Sequence, residues 1–350
     1  MKNSSLLFIS QPTPHSLLEE NVHVKVEERE IDIDHVTLNG GVLLKTLILS
    51  SDPYMRYRFR EPDVPDFCPP ILIGDPVDNC GLAKVVRSDD PNLKPGDLVW
   101  GYIDFSDYSV YPGKTSHAMK VPLKKIDQHP SIPLSAYIGP MSLPGHTAYL
   151  GWKAFMEEKA KTSKTMFIST AAGAVGTFLV EYAKIVAPHL KIIGSTSTEE
   201  KVAHLKNIGV DVPINYKTEN VGEVLKAHGP IDIYFDNVGG SILDATLMNM
   251  RDHGLIVACG CISSAADNSS VKNFEQIFKR SLTVRGFLCY SEAVVPYLEG
   301  FWSEIPPLIA QGKITSREHR YNGLKEACNA LNSVHTGENT GKAVIVVSTD

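Results

Sequence analysis

Residues 168–180 read ISTAAGAVGTFLV: an apolar run enters a turn of small residues, and a run of helical spacing leaves it. In AAGAVG, Ala171, Gly173 and Gly176 occupy the places of G-x-G-x-x-G, with alanine at the first glycine. Gly173 lets the backbone approach a pyrophosphate, and Gly176 lets the helix pack closely on the preceding strand. The free N–H groups of Gly173, Ala174, Val175 and Gly176 at the helix start then face the phosphates. A lone glycine pattern is weak; here it follows a strand, opens a helix and lies inside a βαβ unit. The competing reading is a tight strand–helix turn in a nucleotide-free α/β domain.

Working outward, TMFIST, KIIGSTS, VPINY, DIYFDNV and GLIVACG read as strands. Between them helices are expected over 176–189, 199–209, 219–228 and 241–252. Strands alternating with helices of this length mean a parallel, doubly wound Rossmann sheet, assigned to residues 130–311. Before residue 130 the chain has short alternating runs, such as HVKVEEREIDI and GVLLKTLILS, and turns such as Pro95-Gly96-Asp97. These suggest an all-β unit of partly open barrel type over 1–129. GKAVIVVS (341–348) is a β-branched strand that returns to it, so 312–350 is assigned to the same unit. A length of 350 residues agrees with roughly two domains.

With 43% apolar and 21% charged residues, the composition is that of an ordinary soluble globular protein. A net charge of -6 argues against nucleic acid and against an anionic membrane surface as partners, leaving a small-molecule substrate. Only Leu6 to Ile9 are consecutively apolar in the N-terminal stretch, too few for a signal-peptide core. The uncharged Thr165–Val180 stretch is too short to span a bilayer. Six thinly spread cysteines (68, 80, 259, 261, 289, 328) suit a reducing compartment. A cytoplasmic protein is expected.

The second strand decides the nucleotide. A site for NAD ends this strand in Asp or Glu, which accepts from the ribose 2′-OH. Here IIGSTSTEEK (192–201) ends in Gly194, Ser195, Thr196 and Ser197, with no acid at the tip. Hydroxyls such as Ser197 and a cation such as Lys201, one helical turn on, would hold a 2′-phosphate. NADP is favoured over NAD. Glu199 and Glu200 count against it, although acids are common in a helix first turn because of the dipole.

Nine ordered strings together resemble the zinc-independent medium-chain dehydrogenase/reductases, in the prostaglandin reductase and alkenal double-bond reductase group. They are SSDPYMR (50–56), KPGDLVWG (94–101), LPGHTAYLGW (143–152), STAAGAVG (169–176), INYK (214–217), YFDNVGG (234–240), CGCIS (259–263), KRSLTVRGF (279–287) and GENTGK (337–342). The resemblance implies a GroES-like first domain and NADPH (NADP) as cofactor. It implies Lys201 and Tyr216 on the adenosine phosphate side and Asn237 by the nicotinamide ribose, with Cys259, Gly260, Ile262 and Ser263. Phe287, Leu288 and Cys289 would line the nicotinamide, and Asn339 would close over the cofactor. Zinc-dependent relatives have Gly-His-Glu where this chain reads GDPVDNCG (74–81), so no metal is expected. His146 reads as a structural histidine. A homodimer joined through the nucleotide domain is usual for such relatives.

Without zinc, the chemistry that suits a hydride donor is reduction of an activated C=C bond. Hydride adds to the β carbon of an α,β-unsaturated aldehyde or ketone, and charge moves to the carbonyl oxygen as an enolate that is then protonated. Many members of the group carry a tyrosine two residues after the serine of the CGxIS segment; this chain has Ala265 there. The remaining donors are Tyr54, ranked first, Tyr290, Tyr108 and the cofactor ribose. Rival readings are a quinone reductase, a reductase of one specialised metabolite, and a non-catalytic NADPH-binding protein. Loops near 55–70, 103–117 and 263–275 would shape the substrate pocket.

Overall fold

A computed structural model describes residues 1–13, 16–112, 122–265 and 271–349. Residues 113–117 and 266–270 of the expected pocket loops therefore lie outside the described residues. The chain forms two units, residues 1–138 with 318–350, and residues 139–317.

In the first unit β1 (Lys2–Phe8) and β2 (Val24–Glu30) pair antiparallel. β3 (Val42–Ser50), β4 (Asp78–Ser88), β5 (Leu98–Asp104), β6 (Tyr108–Tyr111) and β7 (Lys124–Lys125) follow. β3 pairs with β4 along one edge and with β6 near its start, so the sheet curls toward a partly open barrel. The barrel interior is apolar: Leu44, Leu49, Ile71, Val77, Ala83 and Phe105 are all fully buried.

The second unit holds α1 (Leu143–Gly151), β8 (Thr165–Ile168), α2 (Ala174–Val186), β9 (Lys191–Thr196), α3 (Glu199–Asn207), β10 (Val212–Asn215) and α4 (Val221–His228). It continues with β11 (Ile231–Asp236), α5 (Gly240–Asn249), β12 (Met250–Ala258), β13 (Thr283–Gly286) and α6 (Leu298–Ala310). The strands are parallel, in the order β10-β9-β8-β11-β12-β13. Sheet order thus reverses at β8 and β11, the switch point where doubly wound sheets bind ligands outside the carboxyl ends of their strands. Every residue of β8 and β11 is buried, as strands covered on both faces must be. The helix expected over 241–252 stops at Asn249. Met250 instead has extended backbone, is buried, and pairs with Ile231, so tertiary pairing overrides the helical run.

The chain then re-enters the first unit through β14 (Glu318–Asn322), α7 (Ala327–Thr336) and β15 (Lys342–Val346). Gly337, in left-handed conformation, ends α7, and β15 pairs antiparallel with β3. Among the described residues no helix is long and apolar enough to cross a membrane.

Candidate functional site

The glycine turn after β8 is built by close contacts. Thr170 sits at φ +50°, and its carbonyl accepts from Gly173 N–H at 2.9 Å. Gly173 caps α2 with no side-chain cap, and no acid lies in the first turn. The leading N–H groups of that helix are therefore suited to an anionic ligand. A Cβ on Gly176 would lie 2.5 Å from the Thr170 oxygen and 2.6 Å from Ala171 Cα, so only glycine fits there. At Gly173 the same test gives 3.2 Å to the Thr170 oxygen, a tight but softer constraint.

At the tip of β9, Ser195, Thr196, Ser197 and Lys201 are all buried. Lys201 Nζ donates to Ser197 Oγ at 3.5 Å, and Thr198 caps α3 by accepting from Lys201 N–H. Burial lowers the Lys201 pKa, and Lys217 and Arg317 push the same way against Glu200. The two glutamates that count against a phosphate each have a partner. Glu199 Oε1 accepts from Asn215 Nδ2 at 2.6 Å, and Glu200 pairs with Arg317 at 2.7 Å. Tyr216 is exposed, and its N–H donates to the Thr196 carbonyl.

The ends of β8, β11 and β12 are stitched together by Ser169 and Asp236, which the sequence reading did not single out, with Asn237 and the Cys259–Ser263 loop. Ser169 Oγ accepts from Asn237 N–H at 2.9 Å, while Asn237 Nδ2 donates to the Ser169 carbonyl at 2.8 Å. Asp236 Oδ1 accepts from Tyr234 Oη, Val238 N–H and Gly239 N–H at 2.6, 2.9 and 2.8 Å. Cys259 and Gly260 donate their N–H groups to the Asp236 carbonyl, and Ile262 donates to that of Asn237. Ser263 Oγ donates to the Val238 carbonyl at 2.5 Å. The only sequence signals for Ser169 and Asp236 are their places at the two strand tips, beside the glycine turn and Asn237.

After β13, Phe287 packs 5.6 Å from Phe155 and 6.5 Å from Phe235, centroid to centroid. Leu288 is exposed. Burial pushes the Cys289 thiol up to about 12, and burial followed by Cys289 raises that of Cys259. Both stay protonated at neutral pH. The Tyr290 backbone lies in the left-handed region at φ 69. Non-glycine residues adopt that conformation at a cost. The Tyr290 hydroxyl hydrogen-bonds His146 Nδ1 at 2.7 Å, and the His146 ring packs edge-on against Phe301 at 4.4 Å. The second unit thus gathers Gly173–Gly176, Ser197, Lys201, Tyr216, Asn237, the Cys259–Ser263 loop and Phe287–Cys289 at the carboxyl edge of one sheet.

Tyr54 and Asn339 belong to the first unit. The Tyr54 hydroxyl donates to Asn79 Oδ1 at 2.6 Å and lies 3.0 Å from that of Tyr102. Asn79 Nδ2 donates to the Ser50 carbonyl and to Asp52 Oδ2, both at 2.9 Å, and Asp52 pairs with Lys342 at 3.0 Å. Burial raises the Tyr54 phenol well above its ordinary range, so it is a donor at neutral pH. Asn339 Nδ2 donates to the Gly341 carbonyl at 2.7 Å.

A family model described as zinc-binding dehydrogenase matches residues 174–304, and one described as the N-terminal domain of oxidoreductase matches 19–119. A 2-alkenal reductase (NADP(+)-dependent) from Nicotiana tabacum is 37% identical, covering 92% of this chain and 94% of that protein. The chain belongs to the medium-chain dehydrogenase/reductase superfamily. (+)-Pulegone reductase from Mentha piperita is also 37% identical, over 89% of each chain. CurA from Vibrio vulnificus, solved in complex with NADPH, superposes with a TM-score of 0.84 at 26% identity over 99% of this chain and all of that one.

The family model's description implies a metal, and the residues present do not fit one. In GDPVDNCG, Asp78 is fully buried and paired with Arg58 at 2.6 Å, itself fully buried. Asn79 is spent on Ser50, Asp52 and Tyr54, and Cys80 is buried. Among the described residues no three His, Cys, Asp or Glu gather as a ligand set. Removing either member of a buried pair such as Arg58–Asp78 would leave an uncompensated charge.

Proposed function

We propose that this protein uses NADPH to reduce the C=C bond of α,β-unsaturated aldehydes and ketones. The observation that carries the cofactor reading is the acid-free β9 tip, with buried Ser197 and Lys201 beside an uncapped helix start. Likeness to a 2-alkenal reductase along nine-tenths of the chain supports the reaction class. Bound NADPH supplies the hydride that adds to the β carbon.

The chain's own residues do the rest. The Gly173–Gly176 amides bind the pyrophosphate, Lys201, Ser197 and Tyr216 the adenosine phosphate side, and Asn237 with Cys259–Ser263 the nicotinamide ribose. Phe287, Leu288 and Cys289 line the nicotinamide. Tyr54 is the first-ranked donor for the oxygen on which charge gathers, with Tyr290 the next candidate for that role. Both are positioned, Tyr54 by Asn79 and Tyr290 by His146. No metal takes part in this reading.

A homodimer is part of the same reading. β13 is an edge strand with every residue exposed, and Phe274 and Phe278 nearby are 68% and 74% exposed. An open edge flanked by apolar side chains is suited to a second copy. Six thinly spread cysteines agree with a cytoplasmic setting.

The test is NADPH oxidation with a panel of enals, enones and quinones, with product identified by mass spectrometry. Saturated aldehydes or ketones are the expected products. Tight NADPH binding with no turnover on any acceptor would instead support a non-catalytic role. Turnover confined to one cyclic enone would favour a specialised-metabolite reductase, a reading the pulegone reductase likeness keeps in view.

A further inference from the structure

We propose that Arg317 is a further ligand of the adenosine 2′-phosphate, held ready for it by Glu200. The inference rests on the NADPH reading above. Arg317 closes the second unit, more than a hundred residues from Glu200 in the first turn of α3, which it reaches. Its Nη2 donates to Glu200 Oε1 at 2.7 Å, and among the described residues its guanidinium makes no other hydrogen bond. Most of its donor fork is therefore open to a second acceptor, and guanidinium geometry matches phosphate in a bidentate manner.

The surroundings point to an anion. Lys217 and Arg317 both act on Lys201 in the first turn of α3, and Glu200 acts against them. Burial lowers the pKa of His204, on the same helix, and Arg317 pushes the same way against Glu200. Lys217 and Arg317 act on Lys201 as like charges, a field that a multivalent anion would relieve. Glu199 is turned to Asn215, whose Nδ2 donates to it at 2.6 Å. The side chains of Arg317 and Glu200 are 30% and 69% exposed. Pairs so open to water contribute little to stability. The use of this one is orientation: Glu200 keeps the guanidinium beside Lys201 and is a positioning residue.

The experiment is calorimetric titration of 2′,5′-ADP and of 5′-AMP into wild type, Lys201→Ala, Arg317→Ala and Arg317→Lys. Wild type is expected to prefer 2′,5′-ADP. Arg317→Ala should weaken 2′,5′-ADP about tenfold, the size of one lost charge-assisted contact, with 5′-AMP unchanged. Arg317→Lys should recover part of the loss. Unchanged 5′-AMP binding also certifies that each variant is folded. A preference that falls in Lys201→Ala but not in Arg317→Ala would overturn the role of Arg317 alone. Equal weakening of both nucleotides by Arg317→Ala would make the residue merely structural and overturn it as well. No preference in wild type would remove the NADPH reading, and this inference with it.

Discussion

At Gly176 one hydrogen atom decides whether helix and strand can meet, because a Cβ there would press on the Thr170 oxygen and Ala171 Cα. Both obstacles are backbone, so they cannot swing away. Gly176→Ala should cost about 1–3 kcal/mol of stability, the range for overpacking, and weaken NADPH binding by shifting the turn. Thermal unfolding and a nucleotide fluorescence titration would check the two effects, and a variant of unchanged stability would contradict the close approach. The same residue-by-residue reading explains why Glu199 and Glu200 mislead in sequence. Their partners, Asn215 and Arg317, are 16 and 117 residues away, and no local pattern announces them.

Among elements, β13 is the exception in a sheet whose other strands are largely buried. Its four residues are all exposed, and it ends the sheet order, so among the described residues no further strand pairs with its outer edge. If that edge joins two copies, wild type should sediment at twice the chain mass. Val284→Lys, which places a charge among exposed apolar neighbours, should then shift the protein toward monomer. A wild type that sediments as a monomer at micromolar concentration would end the dimer reading. Elements with a clear period, such as α2 and α3, were legible in sequence. The end of α5 was not, since Met250 is drawn into pairing with Ile231 by contacts the helical spacing cannot register.

For the whole molecule, two carboxyls pushed up to about 7 tie stability to pH. Burial raises Glu181 in the second unit, against hydrogen bonds from Thr315, and burial with Asp78 and Asp75 raises Asp104 in the first. A raised carboxyl pKa means that the folded state holds the proton more tightly than the unfolded chain. For Glu181 the stabilisation is full below the unfolded value of 4.5 and is lost as pH rises through about 7. The change amounts to roughly 3 kcal/mol for this buried group. Glu181→Gln keeps an acceptor for the Thr315 N–H and should flatten the fall in Tm between about pH 5 and 8. An unaltered slope would place the titration elsewhere.

By itself, the sequence determined the alternating strands and helices, the glycine turn, the acid-free strand tip and Lys201, because each depends on residues within one turn or one strand. It also determined the return of 341–348, through its β-branched run. Only the tertiary structure decided that Ser169 and Asp236 lock three strand tips together. It alone joined Tyr290 to His146, and it spent Asp78 and Asn79 on Arg58, Asp52 and Tyr54. Those pairings join residues far apart in the chain, and their strength comes from burial, which a linear pattern does not carry.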